Sequence, residues 1–129
     1  MNFQVIIVDD DPVAVFLHQF AVRQAGLSHD PIGFVRGQEA LDYLDACDHA
    51  NRPCLLLVDI NMPLMSGWEF LEAISIRPYA ESIFVIIVSS SVDSCDHKKG
   101  EQFSRVVGYL EKPIDANVLN DFRLSDILV

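Results

Sequence analysis

Four stretches of this 129-residue chain set polar, chemistry-capable side chains immediately after apolar runs. Asp9, Asp10 and Asp11 follow one VIIV run, and Asp59 follows LLLV. Ser89, Ser90 and Ser91 follow a second VIIV run, and Lys112-Pro113 follows GYLE, which contains Tyr109. Carboxylates brought together repel one another, and burying them unpaired is costly. A divalent cation relieves that cost, and an all-oxygen donor set suits Mg²⁺ or Mn²⁺, with Mg²⁺ taking one or two carboxylates plus phosphate. A lysine at the same place complements phosphoryl oxygens as a point charge, and Ser89 adds a hydroxyl donor. Each residue also has an ordinary explanation. A short acidic run is usually solvated surface, Lys112 could be a surface lysine or a plain ion-pair partner, Ser89 could begin a loop, and Tyr109 could be a half-buried strand aromatic.

The elements between these stretches decide whether they meet. Residues 5–8, 54–58 and 84–88 are nearly continuous in Val, Ile and Leu, as strands are when both sheet faces are covered. Residues 106–110 form a further run, and residues 32–35 a weaker one interrupted by Gly33. Amphipathic segments alternate with them. Pro12 fits a first helical turn, after which Val13, Phe16, Leu17 and Phe20 share one face, with Gly26 as a stop. Residues 39–46 carry Leu41, Tyr43 and Leu44 among acidic positions. Ser66 can cap a helix bearing Trp68, Phe70, Leu71 and Ile74, ended before Pro78, and Asp115 a last helix bearing Val118, Leu119 and Phe122. The poorest helix is 93–103, polar and containing Gly100. This β-α alternation predicts an α/β fold, an open sheet with right-handed crossovers. Ligands bind such sheets outside the carboxyl ends of the strands, where the polar stretches fall.

Bulk properties narrow the function classes. The length predicts one domain able to bury a core without metal or disulfide support. A formal net charge of −10, with only nine Lys plus Arg, argues against nucleic acid and against an anionic membrane as partners. Cys47, Cys54 and Cys95 lack CxxC spacing and read as small apolar residues of a reducing compartment. MNFQVIIVDDD has no basic n-region, and no apolar stretch approaches the ~20 residues needed to span a bilayer. The expectation is a soluble, cytoplasmic protein.

Together, VIIVDDDP, LLLVDINMPLMSGWEFL, VIIVSSS and GYLEKPI, in this order over nearly the whole chain, resemble the receiver domain of two-component response regulators. The chain is similar to the chemotaxis response regulator and other single-domain members. The resemblance implies a flavodoxin-like, doubly wound five-stranded parallel sheet of (βα)5 form, strand order 2-1-3-4-5, with residues 1–129 as one receiver domain. It implies that Asp59 is the phospho-acceptor, that Asp10 binds Mg²⁺ directly and Asp9 mostly through water, and that the Asn61 main-chain carbonyl is a further metal ligand. Lys112 then contacts phosphoryl oxygens, Ser89 is the switch hydroxyl and Tyr109 the switch aromatic. Asp11 falls outside the acidic pair. The implied partners are a histidine kinase or histidine phosphotransfer protein and a downstream protein target, and the protein is a switch that assists its own phosphorylation and dephosphorylation rather than an enzyme. Lys112-Pro113 also reads as a turn in which a cis peptide would aim the lysine inward.

The chain departs from the family pattern in places. Ser90 stands where Ala or Gly is usual, which predicts altered phosphoryl-transfer or hydrolysis rates that Ser90→Ala would reverse. Gly100 stands where Ala is frequent and costs a helix interior about 1 kcal/mol, which predicts a short or mobile fourth helix. In the terminal RLSDILV, Leu124, Ile127, Leu128 and Val129 either complete the last helix or support a homodimer. If the chain is complete, its output is by protein contact or phosphotransfer. Two competing readings are a haloacid-dehalogenase-like phosphatase and a pseudo-receiver binding module. The first wants DxDxT, whereas Asp59-Ile60-Asn61 lacks the second Asp and Pro63 replaces Thr. The second conflicts with the full set of Asp9, Asp10, Asp59, Ser89 and Lys112.

Overall fold

A computed structural model describes residues 3–47, 52–90 and 93–121. Five strands, β1 (Gln4–Val8), β2 (Ile32–Phe34), β3 (Cys54–Asp59), β4 (Ile83–Ser89) and β5 (Val106–Glu111), form one sheet in the order β2-β1-β3-β4-β5. All its pairings are parallel. Helices α1 (Pro12–Gln24), α2 (Gly37–Ala46), α3 (Gly67–Ser75), α4 (Ser94–Gly100) and α5 (Ala116–Asp121) connect and follow the strands. The alternation, the parallel sheet and the strand order agree with the sequence reading. Val118 is half-buried and Leu119 buried in α5, while Phe122 and the apolar residues of the terminal RLSDILV lie outside the described residues.

The continuous apolar runs have a simple cause, because the sheet is covered on both sides. On one face Ile6, Val8, Leu56, Val58, Val85 and Ile87 pack against Leu41 and Leu44 of α2 and Phe70, Leu71 and Ile74 of α3. On the other, Val5, Ile7, Leu55, Leu57, Ile86 and Val88 pack against Val15, Ala21 and Val22 of α1 and Leu119 of α5. Each such side chain contributes about 1.5–3 kcal/mol by leaving water, so a strand buried on both faces has little room for a polar residue except at its end.

Local signals set the helix starts. Asp11 caps α1, accepting from the Val13 amide at 3.0 Å, with Pro12 in the first turn. Ser66 and Glu69 form a capping box on α3, and Asp93 and Asp96 form one on α4. α4 is the short helix that its sequence predicts, at seven residues.

The expected face of α1 needs correction. Val13, Phe16, Leu17 and Phe20 do share a face, but it is exposed, and Val15, His18, Ala21 and Val22 are the buried residues. α1 carries apolar residues nearly all round, so its periodicity supports two faces. Packing onto β1, β2 and α5 selects the one that fits.

Candidate functional site

Register brings the strand ends level. Val8 pairs with Val58 and Asp59 with Val88, so Asp9 and Asp59 emerge side by side with Ser89 one step beyond. Ser89 pairs with Glu111, and the Lys112 amide donates to the Ser89 carbonyl at 2.8 Å, which delivers Lys112 to the same edge. The Lys112–Pro113 peptide is cis, as the sequence reading anticipated.

The side chains converge there. Asp9 and Asp59 are buried, at 1% and 5% exposure, and Asp10 is exposed. Oxygens of Asp9, Asp10 and Asp59 lie within 4.8 Å of one another. Lys112 Nζ lies 2.7 Å from Asp9 Oδ2 and 3.4 Å from Asp59 Oδ2. Asp9 Oδ1 accepts from the Asp11 amide at 3.0 Å, and the buried Asp9 Oδ2 lies against the Lys112 ammonium. Asp59 Oδ1 accepts from the Asn61 amide at 3.0 Å, and Asn61 Nδ2 donates to the fully buried Ser89 Oγ at 3.2 Å.

Three carboxylates against one ammonium leave the cluster electronegative. Burial pulls the Lys112 pKa down, but the hydrogen bond and charge of Asp9, aided by Asp59, outweigh it and raise the pKa above that of ordinary lysine. The lysine therefore stays charged. The donors fit a hard divalent cation: they are all oxygen and they converge within 4.8 Å. Asp11 stays out of the cluster as an exposed helix cap, and Ser90 is exposed beside the site. Ser91 lies outside the described residues.

Tyr109 sits further from the carboxylates. An irregularity between Val85 and Ile86 shifts the β4–β5 register by one residue, so that Ile87 pairs with Tyr109. Tyr109 thus shares the sheet face of Ile87 and, two residues on, of Ser89. Its hydroxyl donates to the His97 carbonyl of α4 at 3.2 Å, and the two rings are 4.1 Å apart. Burial, then the charge of Glu101, pushes its phenol pKa up.

Two residues of the site region escaped the sequence reading. Gly67 begins α3 where the helix meets the strand end, and a Cβ there would lie 2.5 Å from Ile60 Cα and 2.7 Å from the Asp59 carbonyl. The signal available was a Gly directly after a capping serine. His18 is buried on α1 at 4% exposure, and burial holds its pKa below that of ordinary histidine, the negative charge of Asp9 offsetting only part of the effect. Its signal was its place on the Val15–Val22 stripe rather than on the Phe16–Phe20 one. Nearby, the single tryptophan, Trp68, stacks on Phe103 at 6.1 Å with Lys99 Nζ 5.2 Å from its ring.

Residues 5–122 match the family model described as "Response regulator receiver domain". Chemotaxis protein CheV2 of Helicobacter pylori is 32% identical over 81 residues, covering 63% of this chain and 26% of that protein. The chain spans about a quarter of the length of that relative and of chemotaxis protein CheV1 from the same organism, at 26% and 27%. Among solved structures, a two component response regulator from Cytophaga hutchinsonii has a TM-score of 0.84 at 29% identity, covering 98% of both chains. A response regulator receiver protein from Dyadobacter fermentans has a TM-score of 0.81 at 27% identity, covering 92% of this chain and 93% of that one.

Proposed function

The chain belongs to the response regulator receiver domain family, the phospho-accepting switches of two-component signalling, and on that premise we propose that Asp59 is the acceptor. The observation that carries this reading is the setting of its carboxylate: one oxygen held by the Asn61 amide, the other beside Lys112, with Asp9 and Asp10 within reach. An Asp59 oxygen attacks the phosphorus of a phosphohistidine. The P–O bond forms, the P–N bond breaks, and the leaving imidazole keeps the electron pair. The chain's contribution is positioning and charge stabilisation.

Lys112 and Ser89 are the donors for phosphoryl oxygens. Ser89 Oγ is engaged by Asn61 Nδ2, so the phosphoryl group competes with that contact for the hydroxyl. Asp9, Asp10, Asp59 and the Asn61 carbonyl would hold Mg²⁺ or Mn²⁺, whose chemistry there is to neutralise charge between carboxylate and phosphoryl oxygens. Ser89 drawn toward a phosphoryl oxygen leaves room on the shared sheet face for Tyr109, a population shift between two packings. Ser90, beside the site, tunes access for phosphoryl donor and water. In this reading the protein assists its own phosphorylation and dephosphorylation without being an enzyme toward a separate substrate. Residues 1–129 act as one receiver unit in the cytoplasm, taking the phosphoryl group from a histidine kinase or phosphotransfer protein and signalling to a protein target. No helix among the described residues is long and apolar enough to cross a membrane.

Incubation with Mg²⁺ and acetyl phosphate tests this. The expected result is a gain of one phosphoryl mass, abolished by Asp59→Asn and by chelation of the metal. No gain on Asp59 and no response to beryllofluoride would support a binding module, and steady turnover of a generic phosphate ester would support a phosphatase.

A further inference from the structure

Glycine is second only to proline as a poor helix former, yet Gly100 is buried, at the last position of α4. A Cβ built there would run into the Tyr109 hydroxyl and come within 2.8 Å of its Cε1 and Cζ atoms. The ring therefore lies directly on the helix backbone at Gly100. Its hydroxyl reaches one helical turn back to the His97 carbonyl at 3.2 Å, an oxygen that also accepts from the Glu101 amide at 3.1 Å. The His97 ring also lies against the Tyr109 ring, with centroids 4.1 Å apart. Glycine notch, carbonyl and imidazole together form a seat for this one side chain.

We infer that Gly100 is a positioning residue that seats Tyr109 on α4 and thereby holds the receiver in its unphosphorylated packing. The inference rests on the phospho-acceptor reading, in which Tyr109 is the aromatic that moves toward Ser89. The register of β4 and β5 puts the two residues on one sheet face, so a ring that leaves the seat has Ser89's side of that face to move into. The clashing atoms belong to the far end of a side chain that rotates, so a methyl group at position 100 unseats the ring instead of breaking the fold. Unseating raises the population of the packing that binds a phosphoryl group, and affinity for such a group rises with that population.

The test is a double-mutant cycle of Gly100→Ala and Tyr109→Ala in the full chain, titrated with beryllofluoride in Mg²⁺ and read through Trp68 fluorescence. Gly100→Ala should bind beryllofluoride at least about fivefold more tightly than the parent, the low end of couplings between linked sites, and should have no effect in the Tyr109→Ala background. Tyr109→Phe keeps the ring and removes only the His97 hydrogen bond, so it should shift affinity in the same direction by a smaller factor. In NMR spectra, contacts between the Tyr109 ring and the Gly100 α-protons should be present in the parent, and ring contacts to residue 100 should be lost in Gly100→Ala. Unchanged affinity in both single variants, an effect that survives Tyr109→Ala, or a ring that keeps its place in Gly100→Ala overturns the inference. A parent protein indifferent to beryllofluoride would instead sink the phospho-acceptor reading, and the NMR comparison would still decide the seat.

Discussion

Replacing Lys112 by Met should destabilise the metal-free protein strongly and make its stability depend on Mg²⁺. The ammonium lies 2.7 Å from Asp9 and 3.4 Å from Asp59. At an effective dielectric constant of about 20 these contacts are worth about 6 and about 5 kcal/mol before desolvation is charged against them. Burial of the lysine offsets much of that, and its side chain keeps 21% exposure. Removing one partner of a buried pair costs about 3–5 kcal/mol in practice, and the lower figure suits this partly wet lysine. Net loss is therefore about 3 kcal/mol, which for a domain of this size lowers the melting temperature by about 10–15 °C. Saturating Mg²⁺ returns positive charge to the same oxygens, so the gap between parent and variant should shrink by more than half. The variant should also bind Mg²⁺ more tightly than the parent, because no ammonium competes for Asp9 and Asp59. Lys112→Arg should recover most of the stability, since it restores the charge. Thermal melts with and without Mg²⁺ provide the assay. A gap below about 1 kcal/mol in chelator, or one that Mg²⁺ leaves unaltered, would refute the electrostatic account.

Gly67→Ala should lower stability and slow phosphorylation together, because its Cβ would meet backbone at Ile60 and Asp59 rather than a mobile side chain; a variant as stable and as fast as the parent would show that α3 shifts freely. His18 should make stability fall as pH drops below about 6.5, since its folded pKa is depressed by burial and the unfolded chain takes the proton first. At higher pH both states are neutral and the residue contributes no slope, so His18→Gln should flatten the pH dependence of unfolding below about pH 6.5 and leave it alone above. Thiol labelling should be stepwise: exposed Cys95 reacts first, while buried Cys54, its thiol pushed up to about 11 by burial, reacts only on unfolding. Equal labelling rates would contradict that burial. Ser90→Ala should change the rate of phosphorylation by acetyl phosphate or the lifetime of the product, measured by loss of the phosphoryl mass with time.

Much of this protein is legible one residue at a time. Runs of Val, Ile and Leu specify strands buried on both faces, because only a sheet covered on both sides leaves no polar position in the strand body. Asp11-Pro12, Ser66 and Asp115 announce helix starts because capping is a contact within one turn. The four polar strand ends identify the site once the β-α alternation is recognised, since parallel strands place their carboxyl ends at one edge. Local pattern has less to say about contacts between elements. α1 has two apolar stripes, and only its packing on the sheet exposes Phe16 and Phe20 while burying Val15 and His18. One irregularity in the β4–β5 pairing decides which face Tyr109 occupies, since a register step of one residue turns a side chain to the other side of the sheet. Gly67 and Gly100 look like flaws in helices until the backbone or ring that needs their missing side chain is in view. Sequence alone determined which elements form and which chemical groups gather at the edge around Asp59. Tertiary structure decided which surfaces meet, because close approach depends on a partner distant in the chain that no local periodicity encodes.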